Sequence, residues 1–123
     1  MSRILLLIGI GGGLGSIARY LFSVFFAKFF TTAFPVGTFV VNIIGSLIIG
    51  LLYGFSEKYN WSNPEWRLFL AVGFCGGFTT FSAFAIENIK LLQSSNFISF
   101  GFYSFLSFIF CLLFAFIGLQ LSK

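Results

Sequence analysis

The sequence predicts an all-α membrane protein with four transmembrane helices in one domain covering residues 1–123, on three observations. Hydrophobic residues make up 59% of the chain and charged ones 8%, whereas soluble domains run at roughly 45–50% apolar and about 25% charged. Four apolar stretches, each near the ~20 residues that cross a hydrocarbon core, occupy most of the length. The remaining polar residues gather mainly between those stretches, which leaves almost nothing for a water-facing surface.

The first span is expected at about residues 4–30. Arg3 followed by the run Ile4 to Ala18 has the outline of a secretory leader, but no A-x-A-like cleavage site follows and apolar character resumes after Arg19, so a retained helix is expected. Pro35 and Gly37 open the second span, about 36–55, proline being well suited to a helix start. A polar loop from Ser56 to Glu65, with Asn60, Asn63 and Pro64, is the longest wet segment. The third span covers about 66–92 and the fourth about 97–121, joined by Gln93, Ser94, Ser95 and Asn96. Loops this short make neighbours antiparallel. Trp61 and Trp66 bracket one membrane interface. Glycines four apart, Gly9/Gly13, Gly11/Gly15 and Gly50/Gly54, are expected to let helix backbones approach closely in lipid, as packing devices without chemistry of their own.

Charge excludes some functions and leaves orientation open. The net +4 comes from seven basic and three acidic residues, scattered rather than patched, so no nucleic-acid surface is expected and contact with anionic lipid accounts for it. Histidine is absent, and both cysteines, Cys75 and Cys111, lie inside apolar stretches. Zinc, haem and nucleophile-plus-base chemistry therefore lack their usual parts, and an enzyme is not expected. With four spans the two ends share a side, which holds Arg3, Lys58, Arg67 and Lys123 against Lys28 and Lys90 opposite, Arg19 being within a span. That positive-inside bias is weak. Insertion in both directions then follows as an expectation, and two copies would pair about an axis in the membrane plane as an antiparallel dual-topology homodimer.

The third span carries the densest signal. Gly73, Phe74, Cys75, Gly76, Gly77, Phe78, Thr79, Thr80, Phe81 and Ser82 run in succession, and such a segment predicts a helix broken near its middle. Carbonyls freed there need protein, water or an ion. Two readings stand: a carbonyl-only cation site, or a kink relieved by the Thr79 and Thr80 hydroxyls. Phe81 and Phe84 fall on one face beyond the break. Most of the 21 phenylalanines must face lipid or pack, but ring edges beside a break can coordinate a small anion without a fixed charge that would trap it. Thr38, Asn42 and Ser46 form one polar stripe and Tyr103, Ser107 and Cys111 another, with Ser104 adjacent. Interhelical hydrogen bonding accounts for such stripes, with Asn42 the member whose amide suits a dehydrated anion. Arg19 either attracts anions to a vestibule or snorkels beside Tyr20. Glu87 is expected to pair with Lys90 on the helix surface.

Taken in order, Gly12, Gly13, Gly15, Ser16, Arg19 and Tyr20, then Pro35, Gly37, Thr38, Asn42, Gly45 and Ser46, then Gly76 to Ser82 with Phe84 and Glu87, closely resemble the small bacterial fluoride channel family, Fluc or CrcB. The match covers nearly the whole chain, and its third block is the most specific. The resemblance implies a dual-topology homodimer with two antiparallel pores in the bacterial plasma (inner) membrane, passive fluoride export giving fluoride resistance, and a structural sodium ion at the dimer centre. It implies that Phe81 and Phe84 are the aromatic fluoride box, with Asn42 as pore amide and Thr80 and Ser82 beside them in the pore. It implies the backbone carbonyls of Gly76 and Thr79 as sodium ligands, Arg19 in the vestibule, and Tyr103 and Ser107 as a polar track. Cys111 stands where another hydroxyl is expected. The alternative is a small multidrug-resistance-type proton-coupled exporter, also of four short helices. Those transporters resemble one another in a first-helix glutamate, and the first span here contains no acid. A non-catalytic assembly subunit would leave the Thr79 to Phe84 block unexplained.

Overall fold

A backbone with no water to bond to closes its hydrogen bonds within helices. The computed structural model, which describes residues 2–30, 34–59 and 64–122, obeys that rule with four helices long and apolar enough to cross a membrane. The first span is Ser2–Phe29 and the second Val36–Lys58, begun by Pro35 at φ −80°. The third occupies 64–93 and the fourth is Phe97–Leu121. The expected polar loop is shorter than its sequence suggested, because Ser56 to Lys58 complete the second helix and Glu65 already belongs to the third. Asn60, Trp61, Asn63 and Lys123 lie outside the described residues.

The third span is composite. A short α-helical lead, Pro64–Arg67, passes into a π-helix, Leu68–Cys75, and one further α-turn, Gly76–Phe78. Thr79 is then extended at φ −85°, ψ 157°, and helix resumes over Ser82–Gln93. The break thus falls in the expected segment, while the π-helix ahead of it was not foreseen. Beyond Gln93 the chain turns through Ser95 at φ 61°. There the Asn96 N–H donates to Leu91 O and the Ser95 N–H to Leu92 O, so the exit carbonyls are satisfied by a Schellman turn built on serine.

Close backbone approach pairs the spans. A Cβ on Gly11 would stand 2.6 Å from Phe69 O, and one on Gly73 3.0 Å from Ile8 O. Gly15 and Gly77 likewise face Phe74 and Gly12 backbone atoms, so the first helix lies directly on the front half of the third. The second helix lies on the fourth in the same way, with Gly50 against Ala115 O and a Cβ on Gly118 only 2.6 Å from Leu47 O. Of the expected glycine pairs, Gly9/Gly13 is corrected. Neither residue would meet any atom within 4 Å, and both lie on the outer face among Leu6, Ile10 and Ile17. Rows of outward Phe and Leu, such as Phe102, Phe105 and Leu112 on the fourth helix, leave an apolar outer surface suited to lipid.

Candidate functional site

The broken third span sets the site, and each polar group near the break can be traced. The Thr79 N–H and its Oγ1 both donate to Cys75 O, at 2.9 and 2.8 Å. Thr80 Oγ1 accepts the Ala83 N–H at 3.1 Å and so caps the resumed helix from inside. Asn42, from the second span, takes the whole Thr80 peptide: its Oδ1 accepts the Thr80 N–H at 2.9 Å and its Nδ2 donates to Thr80 O at 3.1 Å. This pairing mimics a neighbouring strand and leaves one N–H of the amide unspent. Gly45, one turn along from Asn42, makes room for the Thr79 methyl group, where any side chain would collide.

Arg19 also serves the break. Its Nε donates to Gly77 O at 3.0 Å from a half-buried position, while Tyr20 beside it is exposed. A carbonyl freed at the break is what holds it inside. The two readings of the break are thereby resolved into parts. Threonine hydroxyls, Asn42 and Arg19 satisfy much of it, but the carbonyls of Gly76 and Thr79 receive no hydrogen bond from any described residue. Gly76 is exposed, with open space where a Cβ would be.

Beside the break lies a groove of about 430 Å³. Asn42 and Ser46 from the second span, Thr80, Phe81 and Phe84 from the third, and Ser107 and Cys111 from the fourth contribute to its walls. Among the described residues, no charged one lines it. The Phe81 and Phe84 rings stand 5.6 Å apart at 33°, and Phe81 is 80% exposed, so one chain supplies only part of an enclosure. Ser107 is buried, yet its Oγ has no hydrogen-bond partner. Ser82 lies outside the groove lining and reaches Thr80 Oγ1 at 3.3 Å.

Tyr103 is not on the groove wall. It is fully buried behind Phe84, ring centroids 5.0 Å apart, and its hydroxyl donates to Glu87 Oε1 at 3.1 Å. Thr38 Oγ1 donates to the other carboxylate oxygen at 3.0 Å. The expected Glu87–Lys90 surface pair is therefore corrected: the carboxylate turns inward to two hydroxyl donors from the second and fourth spans, and the two side chains form no salt bridge. The polar stripes divide accordingly. Thr38 serves Glu87, Asn42 serves Thr80, Ser46 donates to its own helix at Asn42 O, and Ser104 donates to Asn88 at 3.1 Å. Asn88 is a working residue that sequence reasoning missed, while Glu87 and Gly45 were singled out there without the roles they have here. The signal for the first two was an acid and an amide side by side in an otherwise apolar span.

Comparison with known proteins agrees in scope. The family model described as CrcB-like protein, camphor resistance, matches residues 6–119. A fluoride-specific ion channel FluC of Flavobacterium psychrophilum is 47% identical over 116 residues, 94% of each chain. One from Leptospira interrogans is 43% identical over 122 residues, covering 99% of this chain and 96% of its own. One from Bacteroides fragilis is 54% identical over 101 residues, 80% of this chain and 79% of its own.

Proposed function

The chain belongs to the CrcB-like protein family, and on that premise we propose that it is a fluoride-selective channel, not an enzyme, that lets fluoride leave the cell passively across the bacterial plasma membrane. The observation that carries the reading is the uncharged groove in which Phe81, Phe84 and Asn42 come together beside a broken helix. A dehydrated fluoride ion needs several weak positive contacts at short range. Ring edges of Phe81 and Phe84 and the second N–H of Asn42 are of that kind. None bears a full charge, so an ion can be bound and still released. The larger chloride cannot approach all of them together. Ser82 reaches the wall only through Thr80 and Tyr103 backs Phe84, so these two act by positioning rather than contact, while Thr80 stands on the wall itself. Arg19 acts likewise through Gly77.

The open side of the groove and the 80% exposure of Phe81 fit a second copy in antiparallel orientation covering that face. Two-fold symmetry would then bring the two breaks together. The Gly76 and Thr79 carbonyls receive no hydrogen bond from the described residues and Gly76 is open, so the residues present fit a sodium ion held by carbonyls from both copies. When bound, that ion neutralises orphaned carbonyl dipoles and has no part in moving fluoride. Passive flow is supported by Glu87, which lies outside the groove lining and is engaged by Thr38 and Tyr103 rather than free to carry protons along the path. The multidrug-exporter reading is set aside, since the relatives are named as channels and no acid lies in the first span.

The test is fluoride efflux from proteoliposomes, followed with a fluoride electrode under an imposed potential. Flux is expected to be electrogenic, far greater for fluoride than chloride, and reduced at least tenfold by Phe81→Ile or Phe84→Ile in protein that still folds. Undiminished flux in both variants would remove the site assignment. Equal chloride flux would remove the selectivity.

A further inference from the structure

The starts of the first and third spans meet around a second cavity, which shares no lining residue with the groove. It measures about 180 Å³ and is lined by Arg3 and Leu7 from the first span and by Glu65, Trp66 and Phe69 from the third. Arg3 Nε donates to Glu65 Oε2 at 3.0 Å, the arginine side chain being 79% exposed and the glutamate 26%. Leu7 follows Arg3 by four residues and Phe69 follows Glu65 by four, so behind each charge, further into its span, stands an apolar side chain. Trp66 is exposed and meets Phe69 edge to face, ring centroids 6.2 Å apart. A pair of opposite charges at the end of two membrane spans, an indole beside it and apolar side chains behind it have the polarity of a lipid at the membrane surface.

We propose that this cavity is a binding site for the headgroup of a phosphatidylethanolamine lipid. The inference rests on the four spans lying in a membrane and not on the channel reading. The headgroup phosphate is an anion and its ammonium a cation, so it matches the Arg3–Glu65 pair charge for charge. Arg3 spends Nε on Glu65, and a guanidinium has further N–H groups in a planar fork suited to phosphate oxygens. A carboxylate accepts more than one donor, and a primary ammonium brings N–H groups that a quaternary choline lacks. The Trp66 ring offers the same ammonium a cation–π contact. A purely anionic headgroup would meet Arg3 already partly neutralised and Glu65 repelling it. The acyl chains then continue along the apolar first span, where Leu6 and Ile10 point outward. A free phosphate ester has no chains to use that surface, which makes the lipid the occupant.

The experiment is native mass spectrometry of the full chain in detergent, titrated with dioleoyl lipids that differ only in headgroup, which counts bound lipid per chain. Exposed charge pairs contribute modestly, so phosphatidylethanolamine is expected to bind roughly fivefold more tightly than phosphatidylcholine or phosphatidylglycerol. Arg3→Gln and Glu65→Gln should each reduce it to the phosphatidylcholine value. Arg67→Gln, which removes a cation of the same end that stands over Tyr53 and outside the cavity lining, should keep the preference. Soluble phosphoethanolamine should leave the bound lipid in place. Equal binding of the three lipids by the wild type, tighter phosphatidylglycerol, a preference surviving in either cavity variant, or one lost in Arg67→Gln would each overturn the proposal. Displacement by soluble phosphoethanolamine would overturn it too, since the occupant would then be a free phosphate ester. The two cavity variants remove the pair from opposite sides, so if one fails to fold the other decides, and the wild-type headgroup comparison needs neither.

Discussion

Replacing Asn42 with alanine removes both hydrogen bonds that hold the Thr80 peptide, one at each end. Two effects add. Interhelical hydrogen bonds in membranes contribute roughly 0.6–2 kcal/mol each, and a polar group left unpaired away from water costs about 1–3 kcal/mol. Because the same two bonds enter both figures, about 2–4 kcal/mol in all is a reasonable range for Asn42→Ala. At roughly tenfold per 1.4 kcal/mol, opening of the break becomes about 30- to 700-fold more frequent. Hydrogen–deuterium exchange of nanodisc-embedded protein reads this at the Thr80 amide, which should lose protection by that factor while amides of Phe55 to Lys58, at the far end of the second helix, keep theirs. Asn42→Asp separates holding from binding. It retains an acceptor for the Thr80 N–H but has no donor, so Thr80 protection should largely survive while fluoride flux is lost. Thr80 exchange in Asn42→Ala within threefold of wild type would refute the role of the amide as the clamp on the break.

Three further outcomes follow from the packing and the charges. Gly15→Ala should destabilise the protein by about 1–3 kcal/mol through overpacking against the Phe74 backbone, whereas Gly9→Ala, facing open space, should stay within ~0.5 kcal/mol; thermal unfolding in detergent reads both, and the reverse order would mean the first helix presents another face. Arg19→Leu takes the charged donor from Gly77 O and should cost about 1.5–3 kcal/mol, seen as a lower unfolding midpoint and as faster exchange at the break; an unchanged midpoint would return Arg19 to a surface role. Reporters fused after the last residue should appear on both sides of the membrane, and two or three extra lysines there should draw that end to the cytoplasm; a single orientation in the wild type would end the dual-topology reading.

Much of this architecture was legible because lipid leaves few options. Uninterrupted apolar runs had to be helices, and the fourth was expected at the ends it has, 97–121. Consecutive glycines and threonines located the break, and the meeting of Asn42, Phe81, Phe84 and Ser107 on one groove was what the family resemblance implied, since the stripes alone would have placed Thr38 and Tyr103 there too. What escaped was orientation. In a helix hydrophobic all round no polar face marks the inside, so Gly9/Gly13 and Gly11/Gly15 looked equivalent although only the second pair touches a neighbour. Glu87 was misread because Lys90 is near in sequence, while the donors that claim its carboxylate, Thr38 and Tyr103, lie 49 and 16 residues away. Arg19 escaped for the same reason, its carbonyl partner being 58 residues distant.

The π-helix at Leu68–Cys75 has a consequence for how the chain tolerates insertion and deletion. Hydrogen bonds that close five residues apart wind the same sequence through less rotation than bonds that close four apart. Everything downstream is therefore set at a different angle about the helix axis from the one an α-helix would give. Since each α-helical residue turns the axis by about 100° and a π segment holds about one residue more than an α-helix wound through the same angle, reverting this stretch to α geometry with every residue kept would swing Thr79 to Phe84 away from Asn42, whereas losing one residue at the same time would nearly restore the register. The wide turns act as a phase adjuster: Gly11 and Gly15 fix the front of the third span on the first helix, Asn42 fixes its rear on the second, and the π segment absorbs the angular difference between the two.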